Sequence, residues 1–567
     1  MRIVRSLTYA LPLAFLALFF FVPLGAILRL SFGGEVAGMR GGGLAVLLQD
    51  NYYWGVIWFS VWQAALSTFL TLVLALPAAY VFARYEFPGK TLLRAIATIP
   101  FVMPTVVVAA AFTALLGPRG LVNSTLQNLF DLSQPPLRIE RSLTLILLAH
   151  VFYNYTVVLR IVGGFWSTLD TRLEQAAAML GANRLRAFRE ITLPLLLPAL
   201  GASALLIFIY CFASFGVVLL LGGPSFATVE VEIYRQTAQF LRLDVAAALS
   251  LIQMLATLVM TVVYTRLQSR SSVPLDRRAR SAIVQPPRTW RAKLMIGLNV
   301  AVILGLIGAP LLALMLRSFT STNGGWTVGF YTMLNENRTG SAFFVSPIVA
   351  LRNSLLFGLL TMLLAMAVGV PGAYLLAGQS GRRARRDGRW GWFRPGALLD
   401  PLFMLPMGTS AVTLGLGYVL IFGRAPLRLL GTPWLIPAAH ALLAFPFVVR
   451  SLLPALRGLD PRQREAARML GASPLRVLRE IDLPLLFPAL LVGAVFSFTA
   501  SLGEFGAALL IAPPDFPTVP LVISRFLGQP GAANYGQALA LSSILMLVTG
   551  FSFILLERFR FQDIGEF

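Results

Sequence analysis

The chain is dominated by apolar stretches long enough to cross a lipid bilayer as helices. Such a helix needs roughly 20 apolar residues, and it satisfies its own backbone hydrogen bonds where no water is present. Of the 567 residues, 57% are hydrophobic and 12% are charged, whereas soluble domains have about 25% charged residues. The sequence therefore predicts an all-α integral membrane protein with about 12 transmembrane helices. The stretches lie near residues 8–29, 55–83, 95–117, 142–164, 198–222, 245–267, 294–316, 350–377, 398–422, 434–456, 488–512 and 535–557.

The positive charge indicates which loops face the cytoplasm. The net charge is +22, but the basic residues lie in short clusters between apolar stretches, which argues against nucleic acid as a partner. The strongest clusters fall within 266–293 and 382–394. Because cytoplasmic loops are enriched in Lys and Arg, both loops are predicted to lie inside, with both termini cytoplasmic. The loop at 222–244, with Glu230 and Glu232, is then predicted to lie outside.

The two halves of the chain repeat each other at an offset of 290 residues. Gln175–Leu200 and Glu465–Leu490 agree at 18 of 26 positions, and the two histidines, His150 and His440, match at the same offset. Each copy has six predicted spans, an even number, so both copies cross the membrane in the same orientation. The sequence predicts two tandem six-helix units related by a pseudo-two-fold axis along the membrane normal. The predicted units are residues 1–268 and 294–567, joined by a basic cytoplasmic linker at 269–293.

Each repeat contains one Arg-rich segment on its predicted cytoplasmic side. In the second copy, Asp460-Pro461 predicts a helix start, since an acid can cap the N-terminus and proline suits the first helical position. Gly471 should end this helix, Pro474 should begin another, and Leu483-Pro484 should turn the chain back into the membrane. In the first copy, Thr171 to Glu174 fits a capping box. The predicted product is an amphipathic helical elbow, which docks on a partner or packs against its own bundle or the lipid surface.

Both segments resemble the EAA-x3-G-x9-I-x-LP motif of ABC importer permeases. The second copy reads Glu465-Ala466-Ala467, Gly471 and Ile481-x-Leu483-Pro484. The first copy departs from the motif, because Gln175 stands in place of the glutamate and Glu174 lies one position earlier. The resemblance implies two type I permease units whose EAA loops, at about 165–198 and 457–488, couple to an ATPase. The residues that it assigns to coupling are Glu174, Gln175, Ala176, Ala177, Gly181, Glu465, Ala466, Ala467 and Gly471.

The same resemblance implies the partners of the chain. It implies two copies of a separate ABC ATPase subunit, one for each elbow, and an extracytoplasmic substrate-binding protein. ATP would bind to the partner subunits, no cofactor would bind to this chain, and the assembly would lie in a bacterial inner membrane. The fused two-unit form is similar to the iron(III) and thiamine permeases, and Cys211–Arg235 looks closest to the thiamine branch.

Few polar residues within the predicted spans are candidates for a solute pathway. Glu504 is the strongest, because a charge inside a bilayer normally faces a pathway or a partner, and its counterpart in the first repeat is Ser214. Packing against a buried donor is the alternative role. His150 and His440 are each without an acid or a cysteine at ligand spacing, which favours a polar residue satisfied inside a helix bundle over an iron site. No catalytic or metal-binding residue is predicted.

Two other functions are weighed against that of an ABC permease. A stand-alone 12-span secondary transporter driven by an ion gradient would carry ionisable residues at mid-membrane, and the predicted spans are nearly free of acids apart from Glu504. That alternative also leaves the repeated elbow unexplained. An ATPase within the chain is disfavoured, since Ala83–Thr91 ends in Gly-Lys-Thr but has Arg84 where a phosphate loop needs its first glycine. The sequence therefore predicts a transport subunit rather than an enzyme.

Overall fold

The computed structural model describes residues 10–36, 39–40, 42–271, 285–321, 325–336, 345–381, 395–423, 425 and 427–560. Most of the predicted linker, at 272–284, lies outside the described residues, as do the basic cluster at 382–394 and the terminal residues 1–9 and 561–567.

Within the described residues, the first half of the chain consists of helices, the turns and loops that connect them, and one small hairpin, in which Glu35 pairs antiparallel with Arg40. Its elements are α1 Ala10–Ser31, β1 Glu35–Val36, β2 Met39–Arg40, α2 Gly43–Gln49, α3 Asn51–Arg84, α4 Lys90–Thr98, α5 Thr105–Leu116, α6 Leu121–Phe130, α7 Leu143–Trp166, α8 Thr171–Met179, α9 Arg184–Phe212, α10 Gly216–Gly222, α11 Val229–Tyr234 and α12 Leu243–Ser271.

The second half repeats this pattern of long and short helices. Its elements are α13 Trp290–Ser318, α14 Gly329–Thr332, α15 Pro347–Gly381, α16 Pro395–Met404, α17 Ala411–Phe422, α18 Leu435–Gly458, α19 Pro461–Met469, α20 Pro474–Gly503, α21 Gly506–Ile511, α22 Val519–Gly528 and α23 Ala532–Arg560.

The helices confirm the predicted all-α membrane fold. Within the described residues, 11 helices are long and apolar enough to cross a bilayer. The number becomes 12 if Pro401–Gly408 and Ala411–Phe422, which are bent by 97° at their junction, count as one broken span. The predicted ninth span, near 398–422, is thus the broken one.

Two predicted spans begin much earlier than their apolar stretches. The stretches near 198–222 and 488–512 correspond to the helices α9, Arg184–Phe212, and α20, Pro474–Gly503. In both helices the first turn continues into the span through one wide π-helical turn, Phe188–Thr192 and Leu478–Asp482. The predicted turn at Leu483-Pro484 is therefore wrong. The charged side chains of these first turns lowered the local hydropathy without breaking the helix.

Hydroxyl side chains in α3 show how polar residues are accommodated in a long apolar helix. Ser60 donates to the carbonyl of Val56 at 2.8 Å, and Thr68 donates to that of Ala64 at 2.7 Å. Each hydroxyl bonds to the preceding turn of its own helix, so it needs no partner from water. The helix can consequently keep its buried hydroxyls in an apolar environment.

The contacts divide the chain into two compact units that interleave along the sequence. The first unit comprises residues 1–46, 233–251 and 331–567, and the second comprises 47–232 and 252–330. Each unit therefore contains the first span of one repeat together with spans of the other repeat.

The exchanged first span is packed through large side chains. In the first unit, α1 lies against α17, and the ring of Phe19 is 5.7 Å from that of Phe422 and 6.4 Å from that of Tyr418 between centroids. In the second unit, α13 lies against α5. These contacts fix the frame that carries one elbow in each unit.

Candidate functional site

The two Arg-rich segments form matched helical elbows, which we call the first elbow, residues 170–192, and the second elbow, residues 460–482. The carboxylate of Asp170 accepts from the backbone N–H of Arg172 at 2.9 Å, and that of Asp460 accepts from Arg462 at 2.9 Å. The helix start predicted at Asp460-Pro461 is confirmed. The capping box predicted at Thr171 to Glu174 is wrong, because Asp170 caps the helix.

A glycine ends the short helix of each elbow in a left-handed conformation. Gly181 has φ +84° and Gly471 has φ +79°. The next residue then folds back, so that the N–H of Ala182 donates to the carbonyl of Ala177 and the N–H of Ala472 donates to that of Ala467, both at 3.0 Å. Glycine is favoured at this position because a side chain makes a left-handed backbone costly. In each elbow, this one glycine therefore sets the bend between the two short helical segments.

Each elbow presents a pair of large apolar side chains that nothing in the described chain covers. Met179 and Leu180 are 89% and 90% exposed, and Met469 and Leu470 are each 89% exposed. Helix packing normally buries such residues. Their exposure at the same place in both repeats gives the two elbows matched apolar surfaces.

Some residues of the EAA motif are exposed on the elbow, and others are buried or partly buried beneath it. Gln175, Ala176, Glu465 and Ala466 are exposed, whereas Ala177 is buried and Ala467 is partly buried. The departure of the first copy from the motif therefore lies on the exposed surface, where Gln175 replaces a charged side chain.

Glu174, next to that exposed surface, is only partly exposed and fastens the first elbow. Its Oε1 accepts from Thr192 Oγ1 at 2.8 Å and lies 2.8 Å from Nη2 of the buried Arg84. In the second elbow the same two positions hold Arg464 and Asp482, whose Nε and Oδ1 are 2.7 Å apart. The contact across the elbow is thus kept with its polarity reversed. No local sequence pattern indicated this contact, because it pairs residues 18 positions apart.

The predicted pathway residue Glu504 lies at a helix break rather than within a span. It follows the last residue of α20, Gly503, and its two carboxylate oxygens accept from the N–H groups of Ala507 and Ala508 at 2.8 and 3.0 Å. Its Oε2 also lies 2.9 Å from Nε2 of His440. Glu504 therefore caps the short helix α21 while facing a buried histidine.

The first repeat has the same junction with neutral groups. The ring of His150 bridges two hydroxyls, since Nδ1 lies 2.9 Å from Ser67 Oγ and Nε2 lies 2.9 Å from Ser214 Oγ. Ser214, like Glu504, follows the helix that precedes a break. In the second repeat, His440 Nδ1 lies 2.8 Å from Ser501 Oγ. Both histidines are thus engaged by side chains in the bundle.

Three other polar residues, Glu230, Glu232 and Lys90, are buried. Glu230 and Glu232, which the sequence placed in an outer loop, are buried in α11. Glu230 accepts from Gln253 Nε2, and Glu232 accepts from the hydroxyl of Tyr52, both at 3.0 Å. The Lys90 ammonium, part of the phosphate-loop fragment, donates to the carbonyl of Tyr85 at 2.7 Å and is itself largely buried.

Comparison with known proteins identifies the family. The model of the family described as "Binding-protein-dependent transport system inner membrane component" matches residues 71–273 and again 389–560. The two matches together cover more than half of the chain, one in each repeat. This chain belongs to that family. It is an ABC importer permease, a transport subunit rather than an enzyme, and the resemblance drawn from the EAA motifs is confirmed.

The relatives of this permease share its fused form over most of their length. The thiamine transport system permease protein ThiP of Escherichia coli is 27% identical over 516 residues, with 90% of each chain covered. ThiP of Brucella abortus is 28% identical over 531 residues, covering 92% of this chain and 89% of the relative. The ferric transport system permease protein FbpB of Actinobacillus pleuropneumoniae is 28% identical over 522 residues, covering 91% of this chain and 71% of the relative.

Proposed function

We propose that this permease forms the transmembrane pathway for thiamine in an ATP-driven importer. The solute is delivered by an extracytoplasmic binding protein, and two copies of an ABC ATPase dock on the two elbows. Iron(III) is the second candidate solute. The permease itself binds no cofactor, and ATP is held by the ATPase subunits.

The observation that carries the coupling role is the matched exposure of an apolar pair on both elbows. Met179-Leu180 and Met469-Leu470 are about nine-tenths exposed, at equal distances along the repeats. Two equal surfaces on one chain suit two copies of one partner. The rigid connection of each elbow to a long helix, α9 or α20, allows a movement of the partner to reach the span as the movement of a lever.

The choice of thiamine rests on how far the relatives match. The thiamine permeases match over about nine-tenths of both chains, whereas the ferric permease has a larger part outside the match. The stretch Cys211–Arg235 favours the same branch. This stretch contains Ser214 of the polar junction and the buried Glu230 and Glu232, so its chemistry differs from that of the second repeat, where Pro520 and Val522 replace the two acids.

The proposed orientation places both elbows and both chain termini on the cytoplasmic side of a bacterial inner membrane. ATP is available there, and the basic clusters of the sequence favour that side. Closure of the ATPase subunits on ATP then shifts the two halves of the permease between inward-facing and outward-facing states. ATP has this effect only because it binds more tightly to the assembly in one of the two states.

The decisive experiment is uptake into vesicles. The permease is purified from its native host with its ATPase, reconstituted, and supplied with the binding protein and radiolabelled thiamine, with ferric citrate in a parallel series. ATP-dependent accumulation of thiamine is expected, and uptake of iron alone would replace thiamine with the second candidate. A vesicle that contains only this chain and still accumulates solute on an ion gradient would contradict the ABC mechanism and favour a secondary transporter.

A further inference from the structure

The first elbow is attached to the rest of its unit by a charged contact that is not seen at the second elbow among the residues that the structure describes. Arg84, at the end of α3, is only 8% exposed at its side chain, and its Nη2 lies 2.8 Å from Glu174 Oε1. At the equivalent place in the second repeat the sequence has Gly378, which has no side chain for such a contact. Arg464 of the second elbow is paired with Asp482 inside the elbow itself. Within the described residues, a charged pairing between an elbow and the second span of its repeat is thus found at the first elbow.

The segment around Arg84 is also bonded to Gln285, where the described end of the predicted linker begins. The N–H of Gln285 donates to the carbonyl of Arg84 at 3.0 Å, and the N–H of Glu86 donates to the carbonyl of Gln285 at 3.1 Å. These two bonds align Tyr85 and Gln285 as a short parallel bridge. One short segment thus contacts the elbow through a side chain and the linker end through its backbone.

A row of aromatic rings also joins the first elbow to α7 and α3. The ring of Trp166, at the end of α7, lies 5.2 Å from that of Tyr80 in α3 and 6.2 Å from that of Phe188 in the elbow. In the second repeat the positions of Trp166 and Phe188 are held by Leu456 and Leu478. Aromatic pairs add about 0.5–1.5 kcal/mol beyond the area that they bury, so the first elbow has a second attachment that the other one lacks.

We infer that Arg84 is a positioning residue, which holds the first elbow rigidly to α3 and to the linker end at Gln285. The inference rests on the proposed coupling role of the elbows. A buried arginine paired with a carboxylate holds its partner in one orientation. The first elbow therefore moves together with α3 and the linker as well as with α9. For the second elbow, the described residues show continuity with α20 and the pairing of Arg464 with Asp482 inside the elbow.

The test measures the mobility of each elbow separately. Cys211, the one native cysteine, is buried and is replaced by alanine. A nitroxide is then attached at Met179→Cys or at Met469→Cys, two matched and highly exposed positions. Arg84→Ala is expected to increase the mobility of the label at 179 severalfold and to leave the label at 469 unchanged. Equal mobility at 179 with and without Arg84, or a rise at both positions, overturns the inference.

Two further variants separate positioning from a general loss of folding. The exchange of charges in Arg84→Glu with Glu174→Arg should restore low mobility at 179, and Glu174→Gln should give a smaller increase than Arg84→Ala. All variants are compared at equal recovery from gel filtration. A charge exchange that fails to restore the label at 179 in a properly eluting protein contradicts the pairing.

The link to coupling is measured in the reconstituted importer. Arg84→Ala should lower the thiamine imported per ATP hydrolysed by about fivefold while ATPase copurification persists, and the charge exchange should restore the ratio. An unchanged ratio in Arg84→Ala overturns the coupling part of the inference. If the unmodified importer shows no ATP-driven uptake, the proposed function fails, while the mobility result still decides whether Arg84 holds the elbow.

Discussion

Glu504 Oε2 lies 2.9 Å from His440 Nε2, and the residue in the equivalent position of the first repeat, Ser214, lies 2.9 Å from His150 Nε2. The same place in the fold therefore holds an acid in one repeat and a hydroxyl in the other. In both repeats this contact joins the fourth span to the helix break that follows the fifth span. The acid adds two backbone hydrogen bonds to the start of α21, one to each of its carboxylate oxygens.

Replacement of Glu504 by glutamine should lower transport without releasing the ATPase. Glutamine has one side-chain oxygen, so it can replace only one of the two carboxylate oxygens that accept from Ala507 and Ala508. A hydrogen bond to a charged group contributes about 1.5–3 kcal/mol, and we expect the rate of uptake to fall about tenfold or more. The measurements are the initial rate of thiamine uptake and the amount of ATPase that copurifies.

The matched control for Glu504→Gln is Ser214→Ala. This change removes one neutral hydrogen bond to His150, which contributes about 1 kcal/mol, so uptake should fall only a fewfold. Normal uptake in Glu504→Gln would show that the carboxylate is not needed for transport. An equal loss in both variants would mean that the charge of Glu504 has no special part.

The sequence predicts the membrane fold well because crossing a bilayer depends on average hydropathy over about 20 residues. It predicts the ends of the spans poorly where this average fails. The helices α9 and α20 start inside charged segments, and Glu504 breaks a helix in the middle of an apolar stretch. The EAA motifs locate both elbows, but the pairing of Arg84 with Glu174 joins residues 90 positions apart. No local pattern carries that information.

Replacement of Gly471 by valine should uncouple ATP hydrolysis from transport. At φ +79° a side chain finds open space, with no atom within 4 Å, so the cost lies in the backbone. A left-handed conformation costs a non-glycine residue about 1–2 kcal/mol, and more for a β-branched one. We expect the second elbow to change its bend, so that the ATP hydrolysed per thiamine imported rises severalfold while the protein still inserts.

Gly458→Val provides the control for that change. Gly458 also faces open space but does not have a left-handed backbone, so valine there should leave coupling close to normal. Asparagine tolerates the left-handed region better than valine, and Gly471→Asn should retain most of the coupling. If Gly471→Val imports thiamine at the normal ratio, the bend of the second elbow has no part in coupling.

Charges placed on the exposed apolar pair should weaken binding of the ATPase. Met469→Asp with Leu470→Asp introduces two acids where 89% of each apolar side chain is exposed. If a partner buries this pair, the acids lose their hydration on binding, and copurified ATPase should fall by about half, because the first elbow keeps its site. The same changes at Met179 and Leu180 added to these should abolish copurification.

Gln463→Asp serves as the control for the charged pair, since Gln463 lies in the same short helix and is also exposed. Its effect on copurification should be small. Full recovery of the ATPase with all four apolar side chains replaced by aspartate would mean that this surface is not where the partner binds.

Labelling of single cysteines should show the elbows and the segment before α12 on opposite sides of the membrane. The chain has one cysteine, Cys211, which is buried, so a membrane-impermeant maleimide reports only on cysteines that are introduced. Met469→Cys should react in inside-out vesicles and resist the reagent in right-side-out vesicles. Phe240→Cys, at a side chain that is 60% exposed, should show the reverse pattern. Because ATP is supplied from the cytoplasm, labelling of Met469→Cys from the external side would leave the elbow without an ATP-driven partner and would contradict the coupling mechanism.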